Sequence, residues 1–445
     1  MENYRKKDTL FIGLMLFALF FGAGNLIFPP FLGIMAGDNF WPAIIGFVLT
    51  GVGLPLITVV AIAGVKDGVQ EMGQRVHPVF AIVFTVMVYL AIGPFFGIPR
   101  GANVAYEMSL KPLLGQSDGP LYLWAFSFVF FALVFWVCLN PSKLVDRIGT
   151  VLTPIMLIAI ALLVIVSLFK LGSGTGEIAE KFASSPVTTG FLEGYLTMDT
   201  IAALAFGIIV ITAIKQKQVT DRKIITRLTL KAGLIAGLGL TLVYVSLGLL
   251  GTKMAGAGTF ENGGQLLTVA AKTVFGYPGM ILLGIIVTLA CFTTCVGLVS
   301  ATAQYFATIM PKVPYKTFTT IVTLVSFLFA NLGLTQIISI SVPVLVTIYP
   351  VTIVLIVLSL LHPLFGGGRS VYVGAIFLAL LISIADGLKA MGIRIHELES
   401  LLGNLPLYAE GMGWLVPALI GAIVGFVADK LIFSRLERRQ PAADN

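Results

Sequence analysis

Charge is what this sequence has least of. Asp, Glu, Lys and Arg together make up 11% of the 445 residues, less than half the roughly 25% usual in soluble proteins. Hydrophobic residues make up 58% and the mean hydropathy is +1.00. Twenty-eight basic and 21 acidic side chains cannot cover the remaining apolar surface, so a water-soluble globule is excluded. Histidine and cysteine number three each. Cys138, Cys291 and Cys295 form no CxxC pair and stand in or at the ends of apolar runs, where they read as small packing residues. His77 and His362 precede prolines in expected inner loops and His396 falls in an outer one, a spread that excludes a metal-spaced cluster. Dyad alternation is missing too, which excludes a β-barrel. No stretch between apolar runs exceeds about 30 residues, short of the roughly 50 a separate soluble domain needs.

What is present is a series of apolar runs of about 20 residues, the length of a membrane-crossing helix. The fold class is an all-α polytopic membrane protein with 12 transmembrane helices, starting near Leu10, Trp41, Val79, Leu121, Ile148, Phe191, Thr229, Val274, Thr317, Ile337, Val371 and Gly413. The first run follows Arg5, Lys6 and Lys7, as a signal peptide would. It continues to Ala36 without a small-x-small cleavage site and is kept as a helix.

Basic residues in short loops mark the cytoplasmic side. With both termini cytoplasmic, 20 of the 28 Lys and Arg residues fall in inner segments, among them Lys66, Lys143, Lys217, Arg438 and Arg439. Eight fall outside, including Arg100 and Arg394. Topology therefore accounts for the pI near 9.2. A nucleic-acid partner is unnecessary, and the cluster from Lys215 to Lys231 reads as an orientation signal that meets anionic lipid headgroups.

Two spans carry breaks. The first holds Gly22, Gly24 and Asn25 near its middle, then Pro29 and Pro30. Glycine and asparagine each cost a helix about 0.7–1 kcal/mol, and each proline removes a backbone donor. In the sixth, the clean apolar run from Ile201 to Ile214 is too short to cross, so Gly194, Thr197 and Asp199 must enter the bilayer with it. A small-residue packing face explains the first defect alone, and an interfacial Asp199 explains the second alone. Together, five spans apart, they point to an inverted five-helix repeat of the kind found in secondary transporters, where broken helices form a midplane site. The half-helix after Asn25 offers amide groups to an anion, and freed carbonyls suit a cation or an ammonium. A third polar patch at depth, Ala290, Thr293 and Thr294 with Ser300 and Thr302 beyond, supplies neutral oxygens of the type hard cations take. The same hydroxyls can instead bond back to their own helix.

FFGAGNLIFPP at Phe20–Pro30, GYLTMDTIAALAFG at Gly194–Gly207 and the full-length layout resemble the branched-chain amino acid:cation symporter family, the system II carriers of bacteria. The resemblance implies a LeuT-like five-plus-five inverted repeat, here 9–171 and 186–361, with two further helices in 371–433, all one transporter domain over 1–445. It implies import of leucine, isoleucine and valine across a bacterial cytoplasmic membrane, coupled to sodium or proton and without a cofactor. By the wider likeness, the backbone of Gly22, Ala23, Gly24 and Asn25 contacts the substrate carboxylate. A sodium cage falls on Ala18, Phe21, Ala290, Thr293 and Thr294. Tyr195, Leu196 and Thr197 match an aromatic gate, a pocket wall and a threonine, and Tyr89 matches an aromatic that closes over substrate. Asp199 departs from the pattern, where a small polar residue is expected. It can hold the ammonium, complete a second cation site or carry a proton. Rival readings are a same-fold carrier of another small solute, an ion channel, disfavoured for want of a filter-like repeat, and an intramembrane enzyme, for which Asp199 lacks a partner acid or nucleophile.

Overall fold

The computed structural model describes residues 6–65, 68–139, 144–171, 176–216, 218–219, 221–393 and 395–437. Of the basic residues that set the expected orientation, Arg5, Lys66, Lys143, Lys217, Arg394, Arg438 and Arg439 lie outside these. The described residues form helices and no strand. Among them, seven helices are long and apolar enough to cross a membrane, and the pair Pro186–Thr197 and Asp199–Lys215, bent by 48°, makes an eighth if counted as one span. Shorter apolar helices include Asp8–Phe20, Pro154–Lys170 and Tyr315–Ala330. Leu121, Phe128 and Trp136 on the helix Pro120–Leu139 stay exposed, as side chains that face lipid do.

The chain divides into two compact units, 1–63 with 88–341 and 64–87 with 342–445. In the first, the opening run is two helices, Lys6–Phe20 and Ala23–Ala36, with Phe21 and Gly22 between them. The later run is Pro186–Glu193, a 3-10 turn Gly194–Thr197, and the helix Asp199–Lys215. Met198 joins the last two at φ +66°, a left-handed conformation that non-glycine residues seldom adopt. Close packing holds this second break in place. A Cβ on Gly46 would lie 1.9 Å from the Val187 carbonyl oxygen, and one on Gly190 would lie 1.9 Å from that of Ala43. Only glycines let Phe40–Val48 and Pro186–Glu193 approach so closely. The Thr50 hydroxyl then donates to the Phe191 carbonyl at 2.7 Å, from a π-helical stretch at Leu49–Gly53.

Beyond both breaks the chain is buried on every side, from Ala23 to Pro30 and from Asp199 to Gly207. A helix enclosed all round is a core helix. A third interruption occurs at Ala91–Phe95, where Gly93 leaves helical geometry at ψ −120° before the helix Gly97–Ser109 begins.

The second unit has its own polar anchor. Tyr372 receives an Arg75 hydrogen bond at 3.2 Å, donates to the Leu358 carbonyl at 3.1 Å and sits 2.9 Å from His362 Nδ1. Asp429 accepts from the Ser370 amide at 3.1 Å. Burial and the neighbouring Arg75 hold the His362 imidazole below its ordinary pKa, so this loop histidine favours the neutral form.

Candidate functional site

An enclosed cavity of about 40 Å³ lies where the two broken runs meet, with Asn25, Arg100, Thr197 and Asp199 among its walls. All four are nearly inaccessible, at 1%, 4%, 4% and 3% exposure. Buried polar groups persist only when bonded, and here the bonds connect the breaks to each other.

Asn25 is the junction. Its Oδ1 accepts the Gly22 amide at 2.9 Å. In an unbroken helix that amide would point at the Ala18 carbonyl, so the side chain of Asn25 keeps the helix open and takes away Ala18's helical partner. Its Nδ2 donates to Asp199 Oδ2 at 2.6 Å and to the Tyr244 hydroxyl. Tyr244 itself donates to the same Asp199 oxygen at 2.7 Å. Asp199 opens its helix, where the positive end of the helix dipole favours a carboxylate. The Thr197 hydroxyl turns back to the Gly194 carbonyl at 2.9 Å.

Arg100 corrects the expectation that placed it in an outer loop. It lies in the helix Gly97–Ser109 at the cavity wall, donating through Nη1 to the Leu196 carbonyl at 2.6 Å and through Nη2 to that of Thr197 at 3.2 Å. The sequence estimate assumed a straight helix from Val79. The Gly93 break and its π-helical neighbours bend the chain, so Arg100 sits within the fold. The carbonyls it holds are those a terminated helix leaves without partners. The Phe28 ring lies 5.3 Å from the guanidinium carbon.

The candidate cation residues are brought together only in part. Thr294 lines the cavity, and its Oγ1 would lie 3.5 Å from a Cβ on Gly22. The Thr293 and Thr294 hydroxyls both donate to the Ala290 carbonyl, at 2.9 and 3.2 Å. That is the local bonding common in membrane helices. A hydroxyl that has given its proton away still presents oxygen lone pairs, so this arrangement remains compatible with cation contact. Ala18, Phe21, Ala290 and Thr293 are not among the cavity walls.

Gly22, Ala23 and Gly24 line the cavity with Asn25. Tyr195 and Leu196 do not; Tyr195 packs edge-on to Phe191, and Leu196 takes part through its carbonyl. Tyr89 also lies away from it, its ring stacked on Tyr305 at 4.2 Å. The aromatics that do reach the cavity are Phe20 and Phe206, in edge contact at 6.0 Å. Sequence reasoning missed Arg100, Phe206 and Tyr244. For Arg100 a signal was available: Gly93, Pro94, Gly97 and Pro99 interrupt its span much as glycines and prolines interrupt the first.

Among the described residues no group of three or more His, Cys, Asp or Glu side chains could hold a metal ion. A cation at this cavity would have to be held by carbonyls and hydroxyls with at most one carboxylate, a donor set suited to a monovalent ion.

Comparison with known proteins agrees with this architecture. Mhp1, a nucleobase-cation-symport-1 family transporter in a closed conformation with bromovinylhydantoin bound, superposes with a TM-score of 0.63 at 13% identity, covering 96% of this chain and 93% of that one. MhsT in complex with L-phenylalanine gives 0.56 at 15% identity, covering 94% and 98%. These likenesses establish the shared LeuT-like fold. In sequence, the branched-chain amino acid permease BraB of Bacillus subtilis is 47% identical over 423 residues, 95% of each chain. The branched-chain amino acid transport system 2 carrier protein of Pseudomonas aeruginosa is 44% identical over 97% of this chain and 98% of its own. These relatives are permeases and carriers, and this chain is a multi-pass membrane transporter rather than an enzyme. The profile of the family described as branched-chain amino acid transport protein matches residues 5–432, and the chain belongs to that family.

Proposed function

We propose that the protein is a secondary active symporter that imports leucine, isoleucine and valine across the bacterial cytoplasmic membrane with sodium or protons. The names of its relatives supply the substrate class, and the Asn25–Asp199 connection between two broken helices carries the mechanism. In this reading 12 spans form an inverted repeat of 9–171 and 186–361 with a further pair in 371–433, and both termini are cytoplasmic. The breaks at Phe21–Gly22 and Met198 are its paired discontinuities.

The amino acid carboxylate docks at the amides of Gly22, Ala23, Gly24 and Asn25, where the helix Ala23–Ala36 begins. Asp199, already facing Asn25 and Tyr244, is the acidic group available to an ammonium, a cation or a proton. The aliphatic side chain meets apolar walls that include Ile92, Phe206 and Leu298. A cation bridges Ala18, Phe21, Ala290, Thr293 and Thr294, drawing the Lys6–Phe20 helix toward Gly263–Ile309 and steadying the break. A cavity of about 40 Å³ accommodates a few waters or an ion, at about 10–15 Å³ each, so leucine enters only when the Phe20–Phe206 contact parts. Alternating access then follows as the broken helices rock against the rest. A potential of 100 mV supplies about 2.3 kcal/mol per charge, roughly fiftyfold accumulation.

Purified protein in sealed vesicles tests this, with labelled leucine, isoleucine and valine and with sodium and proton gradients imposed separately. Accumulation above the external concentration under one gradient, abolished by dissipating it, is the expected result. Equilibration without accumulation under either gradient contradicts symport.

A further inference from the structure

A guanidinium at membrane depth is retained only where its surroundings compensate it. Arg100 is 4% exposed at the wall of the central cavity. Its two carbonyl partners, Leu196 and Thr197, are neutral oxygens on the rigid end of a terminated helix. They fix the plane of the guanidinium without cancelling its charge.

What the plane is aimed at is given by Gly24. A Cβ there would lie 3.0 Å from Arg100 Nη2 and 3.1 Å from the Thr197 carbonyl oxygen. Glycine alone lets the first break come this close to the guanidinium. The same enclosure contains Asp199, tied to Asn25 and Tyr244. A cationic group and an acidic group in one closed cavity match a molecule carrying both charges. A substrate bearing only an ammonium would leave the guanidinium uncompensated, and buried uncompensated charge is heavily penalised.

We propose that Arg100 is a specificity-determining residue that reads the α-carboxylate of the substrate, its planar fork shared between the Leu196 and Thr197 carbonyls and the carboxylate at Gly24. This rests on the functional reading above and adds a residue to it. It makes the protein select zwitterionic amino acids over the corresponding amides and amines. Lysine is a poor substitute, because a point charge cannot span carbonyls and carboxylate as a planar five-donor group does.

The test measures equilibrium binding of leucine and of leucinamide, which keeps the ammonium and side chain but has no carboxylate, to wild-type protein, Arg100→Gln and Arg100→Lys. Wild type is expected to prefer leucine by about a hundredfold or more. In Arg100→Gln that ratio falls at least tenfold, because leucine weakens while leucinamide stays within about threefold. Should Arg100→Gln fail to fold, Arg100→Lys carries the test, with the ratio reduced at least threefold. An unchanged ratio in a folded variant, including equal weakening of both ligands, overturns the proposal and leaves Arg100 as a helix cap. Wild-type protein that binds none of leucine, isoleucine and valine contradicts the functional reading itself, and this inference with it.

Discussion

The two broken helices solve one problem by different chemistry. At the first, the residue that keeps the helix open is local: Asn25 accepts the Gly22 amide three positions back, and the flanking glycines make the opening cheap. At the second, local chemistry opposes the structure. Met198 takes a left-handed conformation at φ +66°, which costs a non-glycine residue of order 1–3 kcal/mol. The support comes from far along the chain, from Arg100 on the Leu196 and Thr197 carbonyls and from Thr50 on Phe191. The first break is therefore written in its own sequence, and the second is imposed by packing. They meet in the Asn25–Asp199 bond, where the self-sufficient break holds the dependent one.

The largest effect follows from removing the shared acceptor. Asp199→Ala leaves the Asn25 amide and the Tyr244 hydroxyl facing no carboxylate, each worth about 1–3 kcal/mol when buried unbonded. The initial rate of labelled leucine uptake, normalised to protein in the membrane, should fall by about a hundredfold. Asp199→Asn sharpens the point: a flattened pH profile assigns proton carriage to the carboxyl, and an unaltered profile with weaker leucine binding assigns it to the ammonium. Asn25→Ala attacks the first break alone. The Gly22 amide is released toward Ala18 and the two half-helices gain a path to rejoin, so uptake should drop roughly ten- to fiftyfold while the protein still elutes as a folded species. Thr294→Ala removes one oxygen beside Gly22. The cation concentration for half-maximal uptake should rise about five- to tenfold, equivalent to roughly 1 kcal/mol, with the maximal rate within about twofold. Tyr89→Phe should change uptake by less than about twofold, because the ring stacks on Tyr305 and keeps that contact without its hydroxyl. A larger loss would return Tyr89 to the substrate path.

Legibility follows the same contrast. The Gly22–Asn25 break could be read directly, since glycines, asparagine and two prolines act on the backbone at their own positions. The depth of Asp199 was legible from the shortness of the Ile201–Ile214 run. Met198 was not, because nothing in a methionine announces a positive φ. Arg100 was misplaced for a related reason: counting residues along a straight helix ignores the Gly93 interruption, although the glycines and prolines around it show the same signature as the first span. Tyr244 and Phe206 converge on the cavity from helices whose apolar pattern gives no sign of which face turns inward, because tertiary packing decides that.

The claim that the two breaks form one site is tested most directly by a double-mutant cycle across the Asn25–Asp199 bond. Leucine-dependent thermal stabilisation would be measured for wild type, Asn25→Ala, Asp199→Ala and the double variant. If the breaks act as a unit, the double variant loses no more than the worse single one, with a coupling of about 1–3 kcal/mol. Losses that simply add would show two independent breaks and contradict the account.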